Sequence, residues 1–267
     1  MTLKTGLATA LVAAVVAALV SAATLVVIWR AAPRVVNAPG AALDEKAIID
    51  VVRNYLTKNP DILVEMTTEL DKRQQAEEAA KQQKIIGENA DAIFRSPLAY
   101  TAGNPSGDVN VVEFFDYNCG FCKRALPEVV KLVDSDAKVR LVLKEMPIFG
   151  EDSEAAAKVA LAAGKQGKYF EFHQKMFTTP GKADKDKALR VATDLGLDIP
   201  QLEKDMDDPS TTKALEQSKD LADKLGLQGT PLYLVGDQVI SGAPDDLYDQ
   251  LVAKVGEIRS KGCKATC

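Results

Sequence analysis

The chain has 267 residues, of which 46% are hydrophobic and 27% are charged, so it is long enough to form one large domain or two smaller ones. Its formal net charge is −5 at pH 7 and its pI is near 5.2. No basic stripe with interleaved aromatic residues is present. A nucleic-acid-binding function is therefore not expected, because it needs a cationic surface.

The chain begins with an apolar segment. Leu7–Trp29 carries no charged side chain, and Lys4 is the only charged residue before it. About 23 residues are enough for a helix to cross a membrane. We therefore predict that residues 1–30 are an uncleaved signal anchor, with a signal peptide cut after Val20-Ser21-Ala22 as the alternative. Either outcome places the chain in the periplasm, tethered to the inner membrane by residues 7–29 if they are retained.

Residues 31–42 contain prolines and a glycine without periodicity and are predicted to be a linker. Residues 43–95 are predicted to form a helical domain with helices over 43–58 and 60–94, broken at Asn59-Pro60. Apolar residues recur at three-four spacing along it, at Ile49, Val52, Leu56, Leu63, Met66 and Leu70. The polar stretch from Asp71 to Lys84 is either a solvated helix face or a stalk for oligomerisation.

Residues 96–260 have the element order of an α/β thioredoxin fold with an inserted helical domain at about 151–226. A strand, a helix and a second strand are predicted at Val109–Phe115, 120–134 and Val139–Met146. Five helical segments follow, over Ser153–Gly164, Gly167–Phe177, Lys185–Leu195, Ile199–Asp207 and Ser210–Leu225. Two strands and a helix complete the chain, at Leu232–Val235, Gln238–Ser241 and Asp245–Ile258.

The four cysteines occur as two close pairs, Cys119/Cys122 and Cys263/Cys267. Close pairs indicate redox or metal chemistry more than structural cross-linking. A Cys₂His₂ zinc site is excluded because His173 is the only histidine, and we assign that residue a packing or surface role. A Cys₄ site built from both pairs would require the C-terminus to fold back onto residue 119. For the tail, residues 261–267, we predict a small disulfide. A second redox relay, an intermolecular bridge and a Cu(I) site remain alternatives.

Cys119 is predicted to lie where the first strand meets its helix. Helix N-terminal N–H groups stabilise a thiolate there, so Cys119 is the expected attacking thiol. Cys122 lies one helical turn later and is the expected resolving thiol. Thr230-Pro231 precedes the late predicted strand Leu232–Val235. We expect a cis proline there that brings the Thr230 backbone beside the sulfurs to bind substrate.

The stretch from Val111 to Cys122, with Gly229-Thr230-Pro231, resembles DsbA-type thiol–disulfide oxidoreductases. The stretch from Tyr55 to Leu63 is similar to the amino-terminal domain of the suppressor-of-copper-sensitivity (ScsC) proteins. The resemblance implies a periplasmic enzyme that oxidises or isomerises cysteines of secreted proteins. It also implies that Glu113 is a buried acid that moves protons at the cysteine pair, and that residues 43–95 mediate homo-oligomerisation.

One departure concerns the two residues between the cysteines. Strongly oxidising DsbA enzymes have Pro-His there, whereas this chain has Gly120-Phe121 and therefore lacks a histidine that stabilises the thiolate. The sequence therefore gives no basis for assuming an extremely lowered cysteine pKa. This departure argues against strong oxidase activity and favours isomerase or reductase use. The expected partners are cysteine-containing secreted proteins and a membrane redox protein, and no cofactor is expected. A copper(I)-binding tolerance protein that uses the same thiols, or a reductase of one partner, are the alternative functions.

Overall fold

The computed structural model describes residues 44–263. The predicted anchor at 1–30, the linker at 31–42 and Cys267 lie outside these residues. Between residues 44 and 263, no helix is both long and apolar enough to cross a membrane. The chain divides into two compact units, one up to Glu69 and one from Leu70 onwards.

Two helices follow Asp44: α1 (Glu45–Lys58) and α2 (Asp61–Glu88). The Asp44 carboxylate caps α1 by accepting a hydrogen bond from the backbone N–H of Lys46. No side chain of α1 is buried. The predicted break at Asn59-Pro60 is confirmed, but the predicted extent of the second helix to residue 94 is wrong. Helix α2 ends at Glu88, and a short helix α3 (Ala90–Phe94) begins after Asn89.

The remaining elements follow the predicted order, apart from one additional strand. They are β1 (Tyr100–Gly103), β2 (Val109–Phe115), α4 (Gly120–Ser135), β3 (Val139–Glu145), α5 (Glu151–Lys165), α6 (Tyr169–Thr178), α7 (Lys185–Asp194), α8 (Ile199–Met206), α9 (Pro209–Leu225), β4 (Leu232–Val235), β5 (Gln238–Ser241) and α10 (Leu247–Lys261). The five strands form one sheet in the order β1-β3-β2-β4-β5. Only the β2–β3 pair is parallel.

Strand β1 is the element that the sequence analysis missed. It is a four-residue edge strand that pairs antiparallel with β3. Its sequence, Tyr-Thr-Ala-Gly, has no apolar alternation, and it ends at Gly103, whose φ of 72° is in the left-handed region that favours glycine. This strand is therefore defined by its pairing with β3 and not by a pattern in its own sequence.

The sheet separates two apolar layers. On β2, Val111 and Phe115 face the layer that contains α4, α10 and the helical insertion. Val112 and Phe114 face the opposite layer, formed by α3 and the C-terminal parts of α2 and α9. Successive side chains of a strand point to opposite faces, so Glu113 shares its face with Val111 and Phe115 and lies on the α4 side.

The helical insertion is attached to the sheet through Tyr100 of β1. The Tyr100 ring stacks on Tyr169 of α6 with a centroid distance of 4.5 Å, and its hydroxyl donates a hydrogen bond of 3.0 Å to the Leu161 carbonyl of α5. Gly164 of α5 lies against this ring, and a Cβ at that position would clash with it. The insertion is thereby held against the same sheet face that carries Glu113.

Candidate redox site

Cys119 is the N-cap residue of α4 and is only 4% exposed. The Cys122 thiol lowers the pKa of the Cys119 thiol most, and the Thr230 side chain and the backbone N–H groups of Cys122 and Phe121 lower it further. Burial opposes them, and the resulting pKa of Cys119 is about 5. As a thiol, its Sγ donates to the Thr230 carbonyl oxygen at 3.1 Å. Because the inter-cysteine histidine is missing, the sequence provided no basis for assuming an extreme lowering. Helix N–H groups and the second thiol stabilise the thiolate without that histidine.

Cys122 has the opposite properties. It is 1% exposed, and its pKa is raised by burial first, then by its hydrogen bond to Cys119 and by the nearby Glu113 charge. At neutral pH the first sulfur is therefore a thiolate and the second a thiol. Both are free cysteines in this structure. This asymmetry is the one expected for an attacking and a resolving thiol.

Glu113 is buried beneath the cysteine pair, at 2% exposure. Its Oε1 accepts a hydrogen bond of 3.0 Å from the Tyr233 hydroxyl of β4, while Oε2 has no partner among the described residues. Burial raises the Glu113 pKa to about 8, and the Cys119 charge adds to this, whereas the Tyr233 bond opposes it. A carboxyl group with that pKa can donate or accept a proton near neutral pH.

Thr230 and Pro231 lie beside Cys119, and the peptide bond between them is cis. They border a groove of about 600 Å³ whose other lining residues are Gln82, Phe121, 225–229, Leu232 and 241–244. None of these residues is charged. Phe121 is 56% exposed at the groove, and the Arg124 guanidinium lies 4.8 Å from the centre of its ring.

Three polar residues near the site were not singled out by the sequence analysis. Asp116 is buried and accepts hydrogen bonds from the backbone N–H groups of Ile148 and Phe149, and from the Ser153 hydroxyl. It also accepts from the backbone N–H of Asn118 at 2.7 Å. The available signal was the polar run Asp-Tyr-Asn that directly follows a buried strand. The long-range partner, Ser153, gave no signal in the sequence.

A second polar cluster lies on the same sheet face, around Glu145 at the end of β3. The buried Glu145 accepts a hydrogen bond of 2.6 Å from Tyr169, and burial raises its pKa well above the usual range. His173 is fully buried among aromatic rings, with its Nδ1 3.5 Å from the Tyr117 hydroxyl. Burial lowers the His173 pKa to about 3. These contacts agree with the packing role predicted for His173.

The tail cysteine Cys263 is disulfide-bonded. The other cysteine of the predicted tail disulfide, Cys267, lies outside the described residues. Within residues 44–263, no group of three or more potential metal-ligating side chains is present.

Comparisons with known proteins identify two regions of the chain. The DSBA-like thioredoxin domain matches residues 110–254, and the copper resistance protein ScsC N-terminal domain matches residues 44–77. A thioredoxin-like oxidoreductase from Silicibacter pomeroyi is 48% identical with a TM-score of 0.62, covering 64% of this chain and 98% of that chain. A linker-deletion mutant of Proteus mirabilis ScsC is 29% identical with a TM-score of 0.64, and the match covers 84% of this chain and 99% of that chain.

Among curated relatives, the Na(+)/H(+) antiporter NhaA 3 of Salinispora tropica is 29% identical over 138 residues, which are 51% of this chain. The matched region spans only 21% of that protein. The similarity to the antiporter is thus confined to part of its length. With more than half of its residues in the matching domain, the chain belongs to the DsbA-like thiol–disulfide oxidoreductase family, and it also carries an ScsC-type N-terminal domain.

Proposed function

We propose that this chain exchanges disulfides with cysteines of periplasmic or secreted proteins, using Cys119 as attacking and Cys122 as resolving thiol. The observation that carries the proposal is that the pKa of Cys119 is lowered and the pKa of Cys122 is raised, both at the N-terminus of α4. Exchange proceeds by thiolate attack, so a stable thiolate at Cys119 beside a peptide-sized groove meets the first requirement.

In the reducing direction, the Cys119 thiolate attacks a substrate disulfide, forms a mixed disulfide and releases one substrate sulfur as thiolate. Cys122 then attacks the Cys119 sulfur, giving its proton to Glu113 in the fraction of molecules in which that carboxyl is ionised, a fraction that grows as the pH approaches 8. This step closes the Cys119–Cys122 disulfide and releases the second substrate thiolate. The substrate gains two electrons and the cysteine pair loses them. Oxidation of a substrate dithiol is the reverse, and protonated Glu113 then returns the proton to Cys122.

The pKa of Cys119 influences whether the enzyme oxidises or reduces its substrates. A thiolate stabilised in the reduced enzyme makes the dithiol form more favourable and the disulfide form a stronger oxidant. With the Cys119 pKa at about 5, the reduced form is stabilised at neutral pH. We therefore propose that the oxidised enzyme donates its disulfide to substrates, with isomerisation as a second use of the same thiolate. A membrane redox partner would restore the disulfide.

Localisation in the periplasm is part of the proposal. A bonded Cys263 and an active disulfide exchanger both suit an oxidising compartment. The apolar segment at 7–29 would bring the chain there, as anchor or as signal peptide.

The first unit supports a proposal of self-association. Helix α1 exposes an apolar face whose members include Ile49, Val52 and Leu56, and Leu63 and Met66 at the start of α2 are also exposed. A helix that buries nothing on its apolar face calls for a partner, and a second copy of the same helix offers a matching surface. Val52→Lys should lower the molar mass measured by light scattering, whereas Asn54→Lys on the same helix should not. An unchanged mass for Val52→Lys would contradict this part of the proposal.

The activity is tested with reduced, unfolded ribonuclease A and with ribonuclease A carrying scrambled disulfides. We expect the oxidised protein to reoxidise the first and the reduced protein to reactivate the second, and Cys119→Ser to abolish both activities. The alternative, copper(I) binding, uses the same two soft thiols. Stoichiometric Cu(I) binding without disulfide exchange would favour that alternative and contradict the proposed enzyme.

A further inference from the structure

The loop between β2 and α4, residues 116–119, carries the attacking cysteine into place. Within the loop, the backbone N–H of Cys119 donates to the Asp116 carbonyl at 3.0 Å. The backbone N–H of Asn118 donates to the Asp116 carboxylate at 2.7 Å. These local bonds form a tight turn, but they do not attach the turn to the rest of the molecule.

The Asp116 carboxylate attaches the start of the loop through its bonds to Ile148, Phe149 and Ser153. A second attachment, next to Cys119, comes from the Asn118 side chain. Its Oδ1 accepts from the backbone N–H of Ala183 at 2.8 Å, and its Nδ2 donates to the Ala183 carbonyl at 2.8 Å. The second hydrogen of Nδ2 is donated to the Ser153 hydroxyl, also at 2.8 Å. The amide thus pairs with the Ala183 main chain as another peptide group would, and both of its donors are in use.

The partners of Asn118 are themselves buried and fixed. Ser153 is 1% exposed and donates its hydroxyl hydrogen to Asp116 at 2.8 Å, and Ala183 is also 1% exposed. Hydrogen bonds shielded from water in this way are electrostatically stronger than exposed ones, and leaving such groups unpaired is costly. Ser153 belongs to α5, and Ala183 precedes α7, so both partners come from the helical insertion.

We propose that Asn118 is a positioning residue for Cys119, whose amide fastens the redox loop to the helical insertion at Ala183 and Ser153. The N–H groups of Phe121 and Cys122 belong to α4, whose buried side chains pack in the core. The Cys119 sulfur is carried by the loop, one residue after Asn118. The geometry between the sulfur and these donors therefore depends on how firmly Asn118 holds the loop.

The inference rests on the proposed role of Cys119, and its test uses iodoacetamide as the probe so that no protein substrate is needed. The pH midpoint for alkylation of Cys119 in the reduced protein reports the thiolate. We expect this midpoint to rise by about one pH unit in Asn118→Ala. At pH values below the midpoints of both proteins, the thiolate fraction of the variant is then about tenfold lower than that of the wild type.

The matched control is Asn104→Ala. Asn104 holds another loop in a similar way, since its Nδ2 donates to the Ala137 carbonyl at 2.9 Å and its Oδ1 accepts from the Ser106 N–H at 2.9 Å. We expect Asn104→Ala to lower the free energy of unfolding without moving the alkylation midpoint. An equal shift in both variants would show a general loss of stability and overturn the proposal.

A folded Asn118→Ala protein with the wild-type midpoint would also overturn it. If Asn118→Ala does not fold, Ser153→Ala decides, because it removes one of the three bonds to the amide together with the Ser153–Asp116 bond of the same loop. We expect Ser153→Ala to raise the midpoint by about half a unit, or about threefold in thiolate fraction. An unchanged midpoint in Ser153→Ala contradicts the proposal. Failure of ribonuclease refolding by the wild type would instead count against the proposed function and leave this readout intact.

Discussion

Replacement of Glu113 by glutamine tests the buried acid beneath the cysteine pair. The Glu113 pKa is about 8 in the folded protein, against a usual value of 4.5. Between these values the folded chain binds a proton that the unfolded chain has released, so the stability contribution of Glu113 is full below pH 4.5 and is lost as the pH rises through 8. A difference of 3.5 pKa units corresponds to about 5 kcal/mol, and about 3 kcal/mol of this is lost by pH 7.

Glutamine resembles the protonated acid at this position. It keeps the oxygen that accepts from Tyr233, and it places a donor where Oε2 already lacks a partner among the described residues. We therefore expect Glu113→Gln and wild type to have similar free energies of unfolding at pH 5. At pH 7 and pH 9 the variant should be more stable, by up to about 3 and about 5 kcal/mol respectively.

The assay is urea denaturation at pH 5, 7 and 9 in the Cys119–Cys122 disulfide form, in which neither sulfur titrates. The Cys119 charge no longer raises the Glu113 pKa in this form, so the two differences given above are upper limits. Glu216→Gln is the control, because Glu216 is an exposed acid of α9. Its difference from wild type should not grow with pH. A Glu113→Gln difference that is also independent of pH would refute the account of Glu113 as a buried acid that is protonated at neutral pH.

Two further predictions concern the surroundings of the site. Tyr233→Phe removes the hydrogen bond that opposes the raised pKa of Glu113, so the folded-state pKa of Glu113 should rise and the loss of stability with pH should extend to higher pH. The free energy of unfolding should also fall by about 1 kcal/mol. An unchanged dependence of this free energy on pH would contradict the prediction. Gly164→Ala should destabilise the chain by about 1–3 kcal/mol in the same denaturation assay, because the new methyl group meets the Tyr100 ring. Gly256→Ala, in open space on α10, should be neutral or stabilising, and equal effects of the two alanines would contradict the packing of Tyr100.

The sequence was most informative where a local pattern and the fold agree. Val109–Phe115 was predicted with the bounds that the structure has, because a run of apolar residues ended by a polar turn is typical of a buried strand. The two short strands after Pro231 were also predicted correctly. Hydrophobic periodicity and turn residues carry enough information for these elements.

The parts that the sequence did not reveal depend on contacts between distant residues. Strand β1 is defined by its pairing to β3, and Asn118 finds its partner 65 residues away. The lowered pKa of Cys119 was underestimated because the prediction weighed the residue types between the cysteines. The hydrogen-bonded geometry of Cys122 and the helix N–H groups determines this pKa. The sequence predicted the position of Cys119 at the helix N-terminus, but it did not give the strength of these hydrogen bonds.

Trapping of mixed disulfides tests the central assignment of the two sulfurs most directly. The Cys122→Ser protein, which keeps the attacking thiol and loses the resolving one, is mixed with scrambled ribonuclease A and analysed by non-reducing electrophoresis. The account predicts a covalent complex through Cys119 that persists until a reductant is added. It also predicts that Cys119→Ser forms none, because the remaining sulfur is buried with a raised pKa. Equal trapping by both variants, or trapping only through Cys122, would contradict the assignment.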